Sequence, residues 1–237
     1  PSFAAGDLAV TFDIDLAALV APVAFAMSQE PTRYYLNGVY LHNPGSALVA
    51  VATDGHRMVV HKAETVGDIT PVILPRKLVG ILPKGTVTVS LSGTKVRVAA
   101  PDCTITSKLI DGTFPDYQRV IPNDNDNVIE VDGKALASAA GRVALVATER
   151  APGLRLNVAN DEIALWVGGA GEASDVVPAA YSGEPIEIGF NSKYVEETIA
   201  NLPAGNVKLA LKDGGTPALF TSPANDGLLS VLMPRRV

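Results

Sequence analysis

Apolar and polar residues alternate over short runs through much of the chain. Examples are Gly38-Val39-Tyr40-Leu41, Ala47–Ala52, Lys95–Ala99, Leu154–Val158 and Ile163–Val167. A period of two over such lengths predicts half-buried strands. Two longer segments switch from this pattern to a helical one. AVTFDIDLAALVAPVAFAMSQ (Ala9–Gln29) reads as a strand, an Asp-centred turn and an apolar helix, with Asp15 placed to cap it. NVIEVDGKALASAAGRVALVA (Asn127–Ala147) reads in the same order, with Asp132 at the turn. The offset is about 118 positions, Val128 standing against Val10. The later parts also match. ILPRKLVGILPKGTVTV (Ile73–Val89) and IGFNSKYVEETIANLPAGNVKL (Ile188–Leu209) each give a strand end, a helix and an alternating strand. Leu82-Pro83-Lys84-Gly85 answers Leu202-Pro203-Ala204-Gly205, and Pro and Gly past a helix stop it.

The chain is therefore expected to be a duplicated α+β unit, each copy carrying two helices on one face of an antiparallel sheet. The polar, turn-rich run Pro122–Asn127 puts the boundary between 1–122 and 123–237.

Composition narrows the class. A length of 237 residues with 47% hydrophobic content supports two ordinary domains with real cores. No apolar run approaches the ~18–20 residues of a membrane span, and no charged-then-apolar leader opens the chain. Cys103, the single cysteine, excludes an internal disulfide, is expected as a packed core thiol and fits a reducing cytoplasm. The net charge of −6 argues against a general nucleic-acid binder unless positive charge is gathered on one side.

Catalytic chemistry finds little support. His42, His56 and His61 make no H-E-x-x-H pattern, and no G-K-[ST] follows the glycines of Gly168–Gly171. Ser107-Lys108 and Asp54/His56 could be drawn as catalytic pairs, but nothing supplies a nucleophile with its base and oxyanion hole. No catalytic residue, metal site or cofactor is expected. An enzyme on a duplicated α+β scaffold stands as the competing reading.

Seven segments carry a resemblance. They are Arg33-Tyr34-Tyr35-Leu36-Asn37-Gly38, Ala52-Thr53-Asp54-Gly55-His56-Arg57-Met58, Leu74-Pro75-Arg76-Lys77, Thr106–Gly112, Phe114–Val120, Ile188-Gly189-Phe190-Asn191 with Tyr194, and Val231–Val237. In order and spacing the chain resembles the bacterial DNA polymerase III beta subunit, the β sliding clamp family, over that family's middle and C-terminal domains. The family's first domain has no counterpart. The resemblance implies clamp domains joined into a ring around duplex DNA, helices lining the hole and sheets outside. It implies a non-catalytic processivity factor in the cytoplasm. Its partners would be the DNA polymerase III alpha subunit, the clamp loader, other proteins with clamp-binding motifs, and duplex DNA without regard to sequence.

Family members hold a short peptide with apolar and Gln side chains in a groove near the C-terminus. The matching residues here are Leu36, Thr53, Gly55, His56, Arg57, Met58, Pro115, Arg119, Val120, Asn191, Tyr194, Val231, Leu232, Met233, Pro234, Arg235 and Arg236. Leu36, Met58, Val120, Val231 and Met233 would make an apolar floor, Tyr194 a wall, and Arg57, Arg119 and His56 donors to peptide carbonyls or an acidic flank. The strand-ending turn is the plain alternative for Thr53–His56. The chain departs from the family at Ala151, where an aromatic is often found. It departs again at Arg235, where an apolar residue is common, and at Gly215 and Pro217.

Encircling DNA without gripping it calls for diffuse positive charge and no base-reading groups. The candidates are Arg33, Tyr34, Tyr35, Arg76, Lys77, Lys134, Arg142, Arg150 and Lys193. Lys193 is flanked by Glu196 and Glu197 at helical spacing, so local pairing is its alternative role. The family's dimer closes through its first domain. Three copies of two domains would restore a six-domain ring, whereas a fragment is expected to be a monomer. A monomeric adaptor or decoy for clamp-binding peptides is the other reading.

Overall fold

The computed structural model describes residues 10–45, 47–64, 66–149, 151–169 and 171–237. The chain divides into two compact units that meet between Asp116 and Tyr117. This junction lies ahead of the 122/123 break read from the polar run. The reason is that the run is tied into the second unit. Asn125 donates to the carbonyls of Ala210 and Pro217 at 2.8 and 2.9 Å, and Lys212 pairs with Asp124 at 2.5 Å.

The first unit contains β1 (Val10–Ile14), α1 (Leu16–Ala24), β2 (Gly38–His42), β3 (Leu48–Thr53) and β4 (Arg57–Ala63). It continues with β5 (Val72–Pro75), α2 (Arg76–Val79), β6 (Val87–Leu91), β7 (Lys95–Ala99) and β8 (Thr104–Lys108). A 3-10 segment, Pro31–Leu36, joins α1 to β2. Its strands pair antiparallel in the orders β1-β6-β7-β8 and β5-β2-β3-β4. The second unit contains β9 (Asn127–Asp132), α3 (Gly133–Ala144), β10 (Gly153–Ala159), β11 (Glu162–Val167) and β12 (Ala173–Ala180). Then come β13 (Ile186–Asn191), α4 (Ser192–Ala200), β14 (Asn206–Leu211), β15 (Ala218–Ser222) and β16 (Asn225–Leu232). Its orders are β9-β14-β15-β16 and β13-β10-β11-β12, and β12 also pairs β9 through Ala179 and Val131.

The duplication therefore extends to register. Val10 faces Leu91 and Ile14 faces Val87 in the first unit, as Val128 faces Ala210 and Asp132 faces Asn206 in the second. The caps repeat as well. Asp15 accepts from the Ala18 N–H at 2.9 Å, and Asp132 from the Ala135 N–H at 2.7 Å, each meeting a donor that the first helical turn leaves unpaired. The two Leu-Pro-x-Gly turns end on Gly85 at φ +84° and Gly205 at φ +115°, a region costly for any residue with a Cβ. The copies differ in their second helix. α2 has 4 residues and α4 has 9, because the stretch from strand end to Leu-Pro is about one turn shorter in the first unit.

The helices bury one stripe each. Leu16, Leu19, Val20 and Val23 of α1 recur at the spacing of one helix face and are buried, α1 packing on β3 and β4. In α3 the buried stripe is Leu136, Ala139, Ala140 and Val143. Its small residues let α4 come close, and a Cβ on Gly141 would lie 3.3 Å from the Glu196 carboxylate. Cys103 corrects an expectation. It is exposed, in the turn between β7 and β8, where its carbonyl accepts from Ala100 at 2.8 Å.

Candidate functional site

The peptide-groove residues implied by the resemblance fall into both units. In the first, β3 ends at Thr53 and β4 starts at Arg57, and the turn between them is internally tied. Asp54 Oδ1 accepts from the N–H groups of His56 and Arg57 at 2.9 and 3.0 Å. Thr53 Oγ1 donates to the Arg57 carbonyl at 2.7 Å and accepts from Gly55 N–H at 3.0 Å. Gly55 sits at φ +92°, and a Cβ there would lie 2.5 Å from Arg33 Nη1, so Arg33 lies close over the turn. Thr53–His56 is thus a strand-ending turn held by its own side chains.

Arg57 is largely buried, its side chain only 10% exposed. Nε donates to Asp54 Oδ2 at 3.1 Å, Nη2 donates to the Phe25 carbonyl at 3.1 Å, and the guanidinium lies 4.9 Å from the Phe25 ring centre. These contacts brace the turn. Leu36 and Met58 are buried, and His56 and Pro115 are exposed.

In the second unit, Arg119 and the exposed Val120 lie on the 3-10 segment Tyr117–Val120. Asn191 caps α4, accepting from the Tyr194 N–H at 3.3 Å, which leaves Tyr194 half-buried on the first helical turn. Val231 and Leu232 are buried at the end of β16. Met233 is 42% exposed, Pro234 half-buried, and Arg235 and Arg236 exposed. Gly215 and Pro217 lie in the loop after β14, where Asp213 accepts from the N–H groups of Gly215 and Thr216 at 2.8 and 2.7 Å.

Sequence reading missed how the last residues are held. Arg235 N–H donates to the Gly189 carbonyl at 2.7 Å, and Arg235 Nη1 donates to the Ala151 carbonyl at 3.0 Å. A Cβ on Gly189 would meet the Arg235 carbonyl at 2.3 Å, and one on Gly153 would meet Val237 Cγ1 at 2.6 Å. Strand glycines mark such close approaches, and Gly189 stood in view within Ile188–Asn191. Ala151 and Arg235, both departures from the family pattern, meet in one hydrogen bond.

The DNA candidates separate sharply. Arg76 is turned inward, donating from Nη2 to the carbonyls of Met27 and Ser28 at 2.9 and 2.7 Å just past α1. These bonds close the chain just past the helix end. Arg33 forms a bidentate pair with Glu30 at 2.7 and 2.5 Å, and this hydrogen bond holds the Glu30 carboxyl below its usual range. Arg142 pairs with Asp175 at 2.7 Å. Lys193 lies 3.6 Å from Glu197, the local pairing its spacing announced. Lys77 and Lys134 are exposed and have no ion-pair partner among the described residues. Tyr34 and Tyr35 meet edge to face at 5.8 Å, and Gly112 packs under Tyr35, where a Cβ would come within 2.9 Å. Arg150 lies outside the described residues.

The Arg142 pair makes a pH prediction. The Arg142 hydrogen bond, with a second from Val176 N–H, pulls the Asp175 carboxyl below 3.8. A depressed folded pKa contributes stability above the unfolded value, and that contribution is lost as pH falls through the folded one. The stability difference between wild type and Asp175→Asn should therefore be constant near neutrality and shrink below about pH 4. Urea unfolding across that window measures it, and a difference that grows in acid would refute it.

Among the described residues no helix is long and apolar enough to cross a membrane, and no group of three or more His, Cys, Asp or Glu is placed to hold a metal ion.

Two family models match in tandem. One, described as DNA polymerase III beta subunit, central domain, covers residues 13–116, and one described as its C-terminal domain covers 118–236. The chain belongs to the DNA polymerase III beta subunit family. The beta sliding clamp of Caulobacter vibrioides (strain NA1000 / CB15N) is 39% identical over 238 residues, which is 94% of this chain and 64% of that protein. That of Vibrio cholerae is 34% identical over 233 residues, again 94% and 64%. The crystal structure of a DnaN sliding clamp from Bartonella birtlesii bound to griselimycin matches at 38% identity with a TM-score of 0.94. It covers 100% of this chain and 69% of that one. The chain thus spans 64% of the length of the beta subunit relatives it matches.

Proposed function

We propose that this chain is the working part of a sliding clamp, a non-catalytic processivity factor that tethers the replicative polymerase to duplex DNA in the cytoplasm. The observation that carries it is the tandem match, in order, of a central and a C-terminal beta subunit domain over residues 13–116 and 118–236. The proposed partners are the DNA polymerase III alpha subunit, the clamp loader and other proteins bearing clamp-binding peptides. The proposed peptide contacts are His56, Arg119, Val120, Tyr194, Met233 and Arg236. Leu36, Thr53, Gly55, Arg57, Met58, Pro115, Asn191, Val231, Leu232, Pro234 and Arg235 shape and hold them. Lys77 and Lys134, with Tyr34 and Tyr35, are the side chains proposed for loose phosphate contact, since the described arginine candidates Arg33, Arg76 and Arg142 each have a partner within the chain. Duplex DNA would be held in a homo-oligomeric ring.

A fluorescently labelled peptide carrying Gln and apolar anchors should bind, as read by polarisation. Arg119→Ala, or removal of residues 233–237, should weaken it by at least about tenfold, the loss expected for a hot-spot contact. Unchanged affinity in both variants would refute the peptide assignment. Mass in solution with and without DNA then separates a ring from a monomeric adaptor.

A further inference from the structure

The helices of the second unit hold one carboxylate that nothing balances. α3 supplies Lys134 and Arg142, and α4 supplies Lys193, Glu196 and Glu197. Arg142 is paired with Asp175 of β12, and Lys193 with Glu197. Asp132 caps α3 through the Ala135 N–H. Of these acids, Glu196 has no hydrogen bond or ion pair among the described residues.

Glu196 is nonetheless half-buried. α4 lies against α3, and Gly141 lets the carboxylate settle into the seam between them. A Cβ at 141 would stand 3.3 Å from Glu196 Oε2 and 3.7 Å from its Cδ. Burial, and then the Glu197 charge, push the Glu196 carboxyl above 4.5, and Lys193 offsets them only in part. The other charged residues on the elements packed against α4 are Lys134 and Arg142 on α3, Glu187 on β13 and Asp226 on β16. A half-buried, unpaired carboxylate lowers stability while it is ionised, and places where a chain breaks this rule are where function is expected.

The charge of Glu196 decides the balance of the helix layer. The cations Lys134, Arg142 and Lys193 stand against the carboxylates of Asp132, Asp175, Glu196 and Glu197. With Glu196 neutral the two signs are equal. In the first unit α1 has no charged residue, and Arg76 of α2 is bonded to backbone carbonyls, which leaves Lys77.

We propose that Glu196 keeps the hold of the helix layer on duplex DNA loose: its unpaired carboxylate repels phosphate beside Lys134, and its protonation tightens the hold. This rests on the clamp reading, in which the helices face the duplex.

Glu196→Gln keeps the shape and removes the charge. Urea unfolding of the whole chain should place its midpoint above that of wild type at neutral pH. The gap should close as pH falls to 4.5 and below, because a carboxyl with a raised folded pKa costs stability only while it is ionised. This arm needs no DNA. Polarisation of a short fluorescein-labelled duplex at about 0.02 M salt reads the hold itself. Glu196→Gln should bind the duplex about two- to fourfold more tightly at neutral pH, the effect of one charge several ångströms away in water. The gain should fade toward about 0.15 M salt, where screening shortens, and as pH falls toward 4.5. Glu162→Gln, the same charge change on the exposed start of β11, should leave the affinity unchanged. Equal affinity in wild type and Glu196→Gln overturns the proposal and leaves the clamp reading standing. So does an equal gain in Glu162→Gln, which makes the effect one of net charge. A midpoint gap that is absent, or that persists in acid, removes the unpaired carboxylate on which the proposal is built. A duplex that binds none of the three proteins overturns the DNA contact of the clamp reading, and the proposal with it.

Discussion

Gly189→Ala is expected to release the C-terminal segment and to abolish binding of a clamp-type peptide. The methyl would enter β13 at 2.3 Å from the Arg235 carbonyl and within 2.8 Å of both Val237 methyl groups. A backbone oxygen cannot rotate aside as a side chain can, so the segment must move. The 2.7 Å hydrogen bond from Arg235 N–H to Gly189 is lost with it. Overpacking of this kind costs about 1–3 kcal/mol, and the lost hydrogen bond about 1 kcal/mol more. Amide exchange at Arg235 should accelerate while exchange in β10 and β11 stays slow. A double-mutant cycle isolates the cause. In a chain lacking residues 233–237, Gly189→Ala should cost almost nothing, because the clashing partner is gone. An equal cost in both backgrounds would show that the alanine clashes with something else.

Phe220→Ala should be the most destabilising single change in the second unit. Phe220 and Phe190 are both 0% exposed and meet edge to face at 6.1 Å, joining β15 to β13 across the core. Emptying such a site costs about 3–5 kcal/mol, a large part of the 5–15 kcal/mol that holds a typical domain. Calorimetry should show the transition of the second unit falling while that of the first stays in place. A shift of less than a few degrees, or an equal shift in both transitions, would contradict it.

Much of the fold could be read from the chain because its signals are local. The Asp15 and Asp132 caps, the alternating strands and the Leu-Pro-x-Gly turns each lie within a few residues of what they specify. The duplication was visible for the same reason. Side-chain roles set by distant partners were not. Arg57 reaches the Phe25 carbonyl and Arg76 those of Met27 and Ser28, acceptors that no spacing rule brings near. Both were therefore read as outward donors. The Asn125 bonds to Ala210 and Pro217 likewise turn a linker-like run into part of a domain. Lys193 shows the opposite case. Its pairing with Glu197 is a helical i,i+4 contact, and the sequence alone announced it.

The shared register of the two units also bears on how the chain is made. In each, the opening strand pairs with a strand about 80 residues later, Val10 with Leu91 and Val128 with Ala210. Closing so long a loop before any pairing is gained is slow, and it places both units among the slower folders of their size. On a ribosome adding about 5–20 residues per second, β1 and β9 each wait several seconds for β6 or β14 to emerge. During that time their unpaired edges are open to other chains. The capped helix that directly follows each opening strand is then the first structure able to form without waiting.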